Sequence, residues 1–196
     1  MELANDTEVR GVDLSGERFE RTRHERIVFL DCDFGEAVSD HATFVDCTFR
    51  RCRFGGSRHT GSAFTSCTFV DVDFFGAQFS DCKLTGSVFK ACALRNLRVD
   101  GGAWDFVDLA RHDVSGCRFT SARMTETDLA GVRGRGSTFR DCDLTGADLT
   151  EADLRDADLR GSPLYSVDPL HTRLDGARVD PDQAMQLAVN LGLQID

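Results

Sequence analysis

Eight cysteines and five histidines are the side chains of this 196-residue chain with the widest chemical repertoire. Thiolates and imidazoles ligate zinc, thiols pair as disulfides, and a cysteine beside a histidine makes a nucleophile. The spacing supports none of these. There is no C-x-x-C pair, no cysteine stands next to a histidine at ligand spacing, and His24, His41, His59, His112 and His171 are dispersed. With no Gly-rich phosphate loop and no convergent nucleophile, base or metal set, the sequence predicts a protein that is not an enzyme and uses no cofactor or metal.

The cysteines instead keep a clock. Cys32, Cys47, Cys52, Cys67, Cys82, Cys92, Cys117 and Cys142 all leave remainder two on division by five. Chance gives this about once in 80,000 trials, and a fixed internal period marks a stacked-repeat architecture. The same slot holds Ala37, Ala42, Ser62, Ala77, Ala122, Ala147, Ala152 and Ala157, so it demands a small side chain rather than sulfur. Two residues later lies a large slot: of the 34 such positions from Leu14 to Val179, 29 are Phe, Leu, Val, Met or Trp. Residues two apart point the same way in extended chain, so both slots face inward and their neighbours face water. A period of five matches neither an amphipathic helix nor an alternating strand; a chain that turns a corner every five residues does match.

Departures from the pattern are few. His24, Ser39, His59, Gly134 and Pro169 occupy large slots, and Leu97 with Gly101 and Gly102 marks a local irregularity. The histidines read as satisfied or corner-exposed side chains, since no second ligand is arranged with either. No insertion shifts the register, which predicts a smooth rod.

Composition bounds the function. A length of 196 residues and 41% hydrophobic content suit one domain with a substantial core. No apolar run follows a basic segment at the N-terminus and none is long enough to span a bilayer, so the sequence reads as a cytoplasmic protein with reduced thiols and no membrane association. The net charge of -10 argues against direct binding to nucleic acid, and for a basic partner or plain solubility. Residues 1–98 carry 15 acidic against 13 basic side chains, and residues 99–196 carry 18 against 10, so the excess is C-terminal.

The motif Ala147-Asp148-Leu149, repeated as Ala152-Asp153-Leu154 and Ala157-Asp158-Leu159, resembles the consensus of the pentapeptide repeat proteins. That resemblance implies an all-β solenoid, a right-handed quadrilateral β-helix in which four pentapeptides make one coil. It covers roughly residues 12–180 and implies about eight and a half coils, a rod of about 40 Å at ~4.8 Å per coil. Residues twenty apart then stack. Phe29, Phe49, Phe69 and Phe89 form one internal ladder, and Leu109, Leu129 and Leu149 continue it.

Stacking also orders the outside. Asp108, Asp128, Asp148 and Asp168 form an acidic column with Glu126 and Glu151 close by, while Arg18, Arg58, Arg98, Arg118 and Arg178 run on the opposite side. A third column mixes signs as Asp33, Arg53, Asp73, Asp113, Arg133, Asp153 and Arg173, and reads as cross-rung pairing. The acidic column has two readings: Asp is the consensus residue before the large slot, or the ladder imitates a nucleic-acid backbone.

The C-terminus changes character. Asp180, Pro181 and Gln183 supply an N-cap, a first-turn proline and a capping glutamine, and Ala184, Leu187, Ala188 and Leu191 follow at helical spacing before Gly192. Leu193 and Ile195 form an apolar tail. The expected organisation is an N-terminal cap over 1–11, a pentapeptide-repeat β-helix over 12–179, and a helix and tail over 180–196. By its residues alone this helix either caps the open core or pairs with a second copy.

The run Ala177 to Ala184 followed by an apolar helix resembles the ending of mycobacterial fluoroquinolone-resistance pentapeptide proteins and their actinobacterial relatives. The resemblance implies a homodimer through the C-terminal end, with Ala184, Leu187, Ala188, Leu191, Leu193 and Ile195 at the interface. It also implies a DNA-like rod of about 80 Å, or roughly 24 base pairs at ~3.4 Å each, and DNA gyrase as the partner. The expected gyrase-binding residues are Asp108, Asp128, Asp148, Glu151, Asp168 and Glu126. An interaction scaffold or immunity factor with a non-gyrase partner is the alternative.

Overall fold

The computed structural model describes residues 4–195; the first three residues of the expected N-terminal cap, and Asp196 at the other end, lie outside the described residues. The chain winds as a parallel β-solenoid with one C-terminal helix. Each strand is three residues long and pairs in register with the strand twenty residues on, as Phe29 with Phe49 and Phe49 with Phe69. One face stacks Glu8–Arg10, Val28–Leu30, Thr48–Arg50, Thr68–Val70 and Val88–Lys90. The opposite face stacks seven strands from Arg18–Glu20 to Thr138–Arg140, and a third stacks Arg23–Glu25, Thr43–Val45 and Ala63–Thr65. The fourth face is a row of single bridges through Asp13, Asp33, Arg53, Asp73 and Ala93.

The five-residue clock works because of the corner. At every fifth position from Asp6 to Gly161 the backbone enters the left-handed region, with φ between 50° and 77°. Many of these residues are not glycine, and each such corner costs a side-chain-bearing residue about 1–2 kcal/mol. Hydrogen bonds across coils offset that cost: the corner N–H of Asp31 reaches the Arg50 carbonyl at 3.0 Å, and that of Asp71 reaches Lys90 at 2.9 Å.

Inside, the rings stack as expected. Phe29 lies 4.9 Å from Phe49 at 8° between planes, and Phe49 lies 5.0 Å from Phe69 at 12°. Edge contacts cross the core between columns, such as Phe49 to Phe54 at 5.4 Å and 79°. Both arrangements suit the ring quadrupole. Trp104 fills its large slot edge-on to Phe79 and Phe119, and one slot later the Phe29-to-Phe89 column continues as Leu109, Leu129 and Leu149.

The cysteines are all free, and all but Cys92 are buried. Their slot selects more than size. The thiol of Cys52 donates to the Phe29 carbonyl at 3.5 Å and that of Cys82 to the His59 carbonyl at 3.3 Å. Hydroxyls in the same slot do likewise, Ser87 to Phe64 at 2.6 Å and Ser162 to Phe139 at 2.9 Å. A small residue with a donor therefore caps the carbonyl of the large slot in the coil before it.

The rod is not smooth to its end. The backbone register holds to Arg160, then lapses around Pro163 and Pro169, which have no N–H to give, and resumes where Arg173 N–H meets the Ala152 carbonyl at 2.9 Å. Here Tyr165 and Leu170 are 68% and 78% exposed. The expectation of a smooth rod fails at this segment because proline removes coil-to-coil bonds without shifting the count of five. Gly102 is the other irregularity: its φ is +84°, and a Cβ there would overlap the Cys82 carbonyl oxygen.

Candidate functional site

Asp108, Asp128 and Asp148 bridge one to the next along the face begun by Glu8–Arg10, so three of the four expected rungs stand directly above one another. Each carboxylate is held by its own corner. Asp108 accepts the Ala110 N–H at 3.0 Å, Asp128 that of Ala130 at 2.9 Å, and Asp148 that of Thr150 at 2.9 Å. The aspartates thus form Asx turns that start the corner, which is the structural reason for Asp in this slot. Elsewhere Asp33, Asp73, Asp113 and Asp143 make the same bond to the residue two further on.

Three like charges about 4.8 Å apart repel, and the aimed N–H groups offset part of that. Hydrogen bonding from Thr150, through hydroxyl and N–H, holds the Asp148 carboxyl below the usual carboxylate range. Beside the column, two positions on in each coil, stand the small side chains of Ala110, Ala130 and Thr150. Glu126 and Glu151 are exposed on the two corners that border it, both with positive φ. Glu126 lies over Gly146, where a Cβ would collide with its carboxylate.

Asp168 sits apart. No bridge joins it to Asp148 among the described residues, because it lies in the segment where the register lapses. It accepts the Leu170 N–H at 2.8 Å and lies 2.7 Å from the His171 ring nitrogen. The imidazole bond, followed by the Leu170 N–H, lowers its carboxyl. An open depression of about 580 Å³ adjoins it, lined by Glu151, Asp153, Arg133, Arg173, Leu170 and His171.

On the opposite face Arg98 and Arg118 occupy adjacent rungs, with Gln78 and Arg58 before them. The mixed column pairs across rungs in two places, Arg53 to Asp33 at 2.6 Å and Arg133 to Asp113 at 3.8 Å. Asp153 pairs within its own coil, with Arg155 at 2.6 Å, and that bond holds its carboxyl down to about 2. Among the described residues no group of three or more His, Cys, Asp or Glu is placed to hold a metal ion. Nor, among them, is any helix long and apolar enough to cross a membrane.

The helix α1, Pro181–Asn190, lies on the end of the coil. Gln183 is buried and ties it down: its Oε1 accepts the Asp180 N–H at 2.6 Å, and its Nε2 donates to the carbonyls of Leu159 at 2.7 Å and Ser162 at 2.5 Å. Asn190 donates to Leu164 at 3.0 Å and Val167 at 2.7 Å. These amides satisfy carbonyls of the terminal coil that no further coil is there to meet. Leu187 packs half-buried against the core and Ala188 is half-buried, whereas Ala184, Leu191, Leu193 and Ile195 are exposed. Met185 and Val189 join that exposed apolar end, and neither follows from the i, i+3, i+4 pattern that picks out Leu187.

Comparison with known proteins agrees with this geometry. The family model described as "Pentapeptide repeats" matches in 8 copies over residues 60–90 and 135–167. No curated protein matches the sequence. Among solved structures, a trypsin-treated form of QnrB1, described as a plasmid-mediated fluoroquinolone resistance protein, is 21% identical over 98% of this chain and 99% of its own, with a TM-score of 0.51. HetL, a pentapeptide repeat protein involved in heterocyst differentiation regulation from the cyanobacterium Nostoc sp. strain PCC 7120, is 17% identical over 88% and 84%, with a TM-score of 0.44.

Proposed function

The chain carries the repeats and the fold of a pentapeptide-repeat protein, and from that premise we propose that it acts in the cytoplasm as a DNA mimic that binds and inhibits DNA gyrase and protects it from fluoroquinolones. The observation that carries the reading is the column Asp108, Asp128 and Asp148, three carboxyl side chains stacked on one face bordered by Glu126 and Glu151. A duplex presents phosphate charge on a scale of a few ångströms, and a rigid row of carboxylates at ~4.8 Å offers a similar field to a Lys/Arg-lined saddle. Such a field steers encounter and fixes register more than it sets affinity. QnrB1, whose fold this chain shares, is described as a fluoroquinolone resistance protein, which supports the drug-protection part of the reading.

Asp168 adds a fourth charge beyond the lapse in register. Exposed Ala184, Leu191, Leu193 and Ile195, with Met185 and Val189, form the apolar end through which two copies join, so that the acidic halves lie at the centre of a doubled rod. Leu187 and Ala188 border that end while turned partly toward the core.

The experiment is a supercoiling assay with purified protein and an Asp128→Lys, Asp148→Lys variant. Both lose a turn-forming carboxylate, so an Asp128→Asn, Asp148→Asn variant, which keeps an acceptor, controls for folding. Wild type inhibits gyrase; the lysine variant loses inhibition by tenfold or more and the asparagine variant by an intermediate factor. Unchanged inhibition by a folded lysine variant removes the acidic column from the mechanism. Light scattering of a Val189→Asp, Leu191→Asp variant tests the dimer: wild type at twice the chain mass, the variant at one.

A further inference from the structure

The aromatic core contains two histidines, both in its N-terminal coils. His24 stacks on Phe44 at 4.9 Å and meets Phe19 edge-on at 5.8 Å. Its Nε2 lies 3.0 Å from Thr22 Oγ1, and its Nδ1 has no hydrogen-bond partner among the described residues. His59 stacks on Phe79 at 4.6 Å and meets Phe64 edge-on at 5.1 Å. Around it lies a hydroxyl chain whose direction assigns the ring proton. Ser62 donates to the Thr60 carbonyl at 3.1 Å and Ser39 donates to Ser62 at 2.9 Å. Ser39 Oγ, 2.7 Å from Nδ1, is left to accept, so Nδ1 carries the proton; Nε2 then accepts from Ser57 Oγ at 3.0 Å.

Among the described residues neither ring has a counter-ion. The strands flanking His59 place Ser39 and Phe79 inward; the charges nearby, Arg58 on its own strand and Asp40 on the next, lie on the outer surface. The Cys82 thiol bonds the His59 carbonyl and is pushed by burial up to about 11, so it supplies no anion. Around His24, Arg23 and Glu25 point outward and pair with each other, Cys47 donates to the His24 carbonyl, and Asp6 on the covering segment pairs with Arg26. A second proton on either ring would be an uncompensated charge among phenyl rings. The third buried histidine, His112, differs: it sits in a small slot between two backbone partners, its Nε2 accepting the Cys92 N–H at 3.2 Å and its Nδ1 facing the Leu109 and Ala110 carbonyls.

We propose that His24 and His59 make the N-terminal coils a proton-triggered opening segment: on acidification residues 14–65 unwind while the coils beyond residue 119 stay closed, and the rod shortens from its N-terminal end. In a stacked-repeat molecule each coil touches only its neighbours, so a fault in two coils opens those coils rather than the whole. Burial lowers both imidazoles from their ordinary value, His59 to about 3. The unfolded segment therefore binds more protons, and stability is lost as pH falls through about 6.5 toward 3. Between pH 7 and pH 5, above the range where carboxylates titrate, His59 alone raises the opening constant about 25-fold.

Amide hydrogen exchange by mass spectrometry at pH 7 and pH 5, corrected for intrinsic rates, tests this. Peptides within 28–65 should open about 25-fold or more at pH 5, and peptides within 119–160 by less than threefold. A His24→Phe, His59→Phe variant should lose the excess. Should the phenyl ring be rejected by the three serines, His59→Gln, which keeps a hydrogen-bonding side chain without a titrating proton, should lose the His59 share. A uniform response along the rod, a wild-type acid response in either folded variant, or NMR titration of both rings near pH 6.5 would overturn the proposal.

Discussion

Replacing Gln183 with alanine should detach the lid from the end of the solenoid. The side chain makes three hydrogen bonds, to the Asp180 N–H, the Leu159 carbonyl and the Ser162 carbonyl, and the residue is buried. A net bond is worth about 1 kcal/mol, while each buried group left without a partner costs about 1–3 kcal/mol. Water entering the new space meets part of that demand, so the loss should fall near ~3 kcal/mol, roughly a hundredfold in the local opening constant. Because end coils have neighbours on one side only, the loss should appear as fraying of residues 159–190 and not as global unfolding. Hydrogen exchange of that segment reads it directly, with the Phe29 to Phe89 coils as the internal reference. Gln183→Glu sharpens the test: it keeps the acceptor for Asp180, loses both donors and sets a carboxylate against two carbonyl oxygens. It should be worse than alanine at pH 7 and recover at low pH, where the introduced carboxyl can donate. Exchange within threefold of wild type for both variants would refute the account of the helix as a hydrogen-bonded lid.

Three further outcomes follow from the core. Phe69→Ala removes a fully buried ring stacked between Phe49 and Phe89 and should cost about 3–5 kcal/mol in chemical denaturation, loosening adjacent coils most. Gly102→Ala should destabilise by about 2 kcal/mol or more, read as a fall in the melting temperature, since its positive φ and the approach of the Cys82 carbonyl leave no room for a Cβ. Four of the thiols should resist alkylation: burial pushes Cys52 up to about 12 and Cys82, Cys117 and Cys142 up to about 11, so iodoacetamide at pH 8 should leave these four unmodified in native protein and label all eight cysteines in denaturant.

Much of this was legible because period and burial are the same information here. The slot of Cys32 and the slot of Phe34 had only one way to share an inside, and the twenty-residue column of Asp108, Asp128 and Asp148 followed from the coil. What stayed hidden was backbone. The left-handed corners favour Gly, Asp and Asn but also fall on residues as different as Arg51, Phe106 and Glu151, so the signal is diluted. The lapse near Pro163 depends on which N–H groups a coil must give to the one before it. That is a matter of hydrogen-bond partners, and counting by fives passes over it. Thiol donation to the large-slot carbonyl was hidden for the same reason, since the same slot also accepts alanine, which has no donor.

The recurring positive φ also makes length a quantised property of this molecule. One residue added or removed between Asp6 and Gly161 would move every later side chain out of its slot and place the wrong residue at every later corner. Twenty residues added or removed would leave each neighbour facing the kind of neighbour it had before, and change the reach of the rod by one step of ~4.8 Å. Descendants of this chain can therefore change length in whole coils, and each such change adds or removes one rung in every charged column at once, leaving the cross-section untouched.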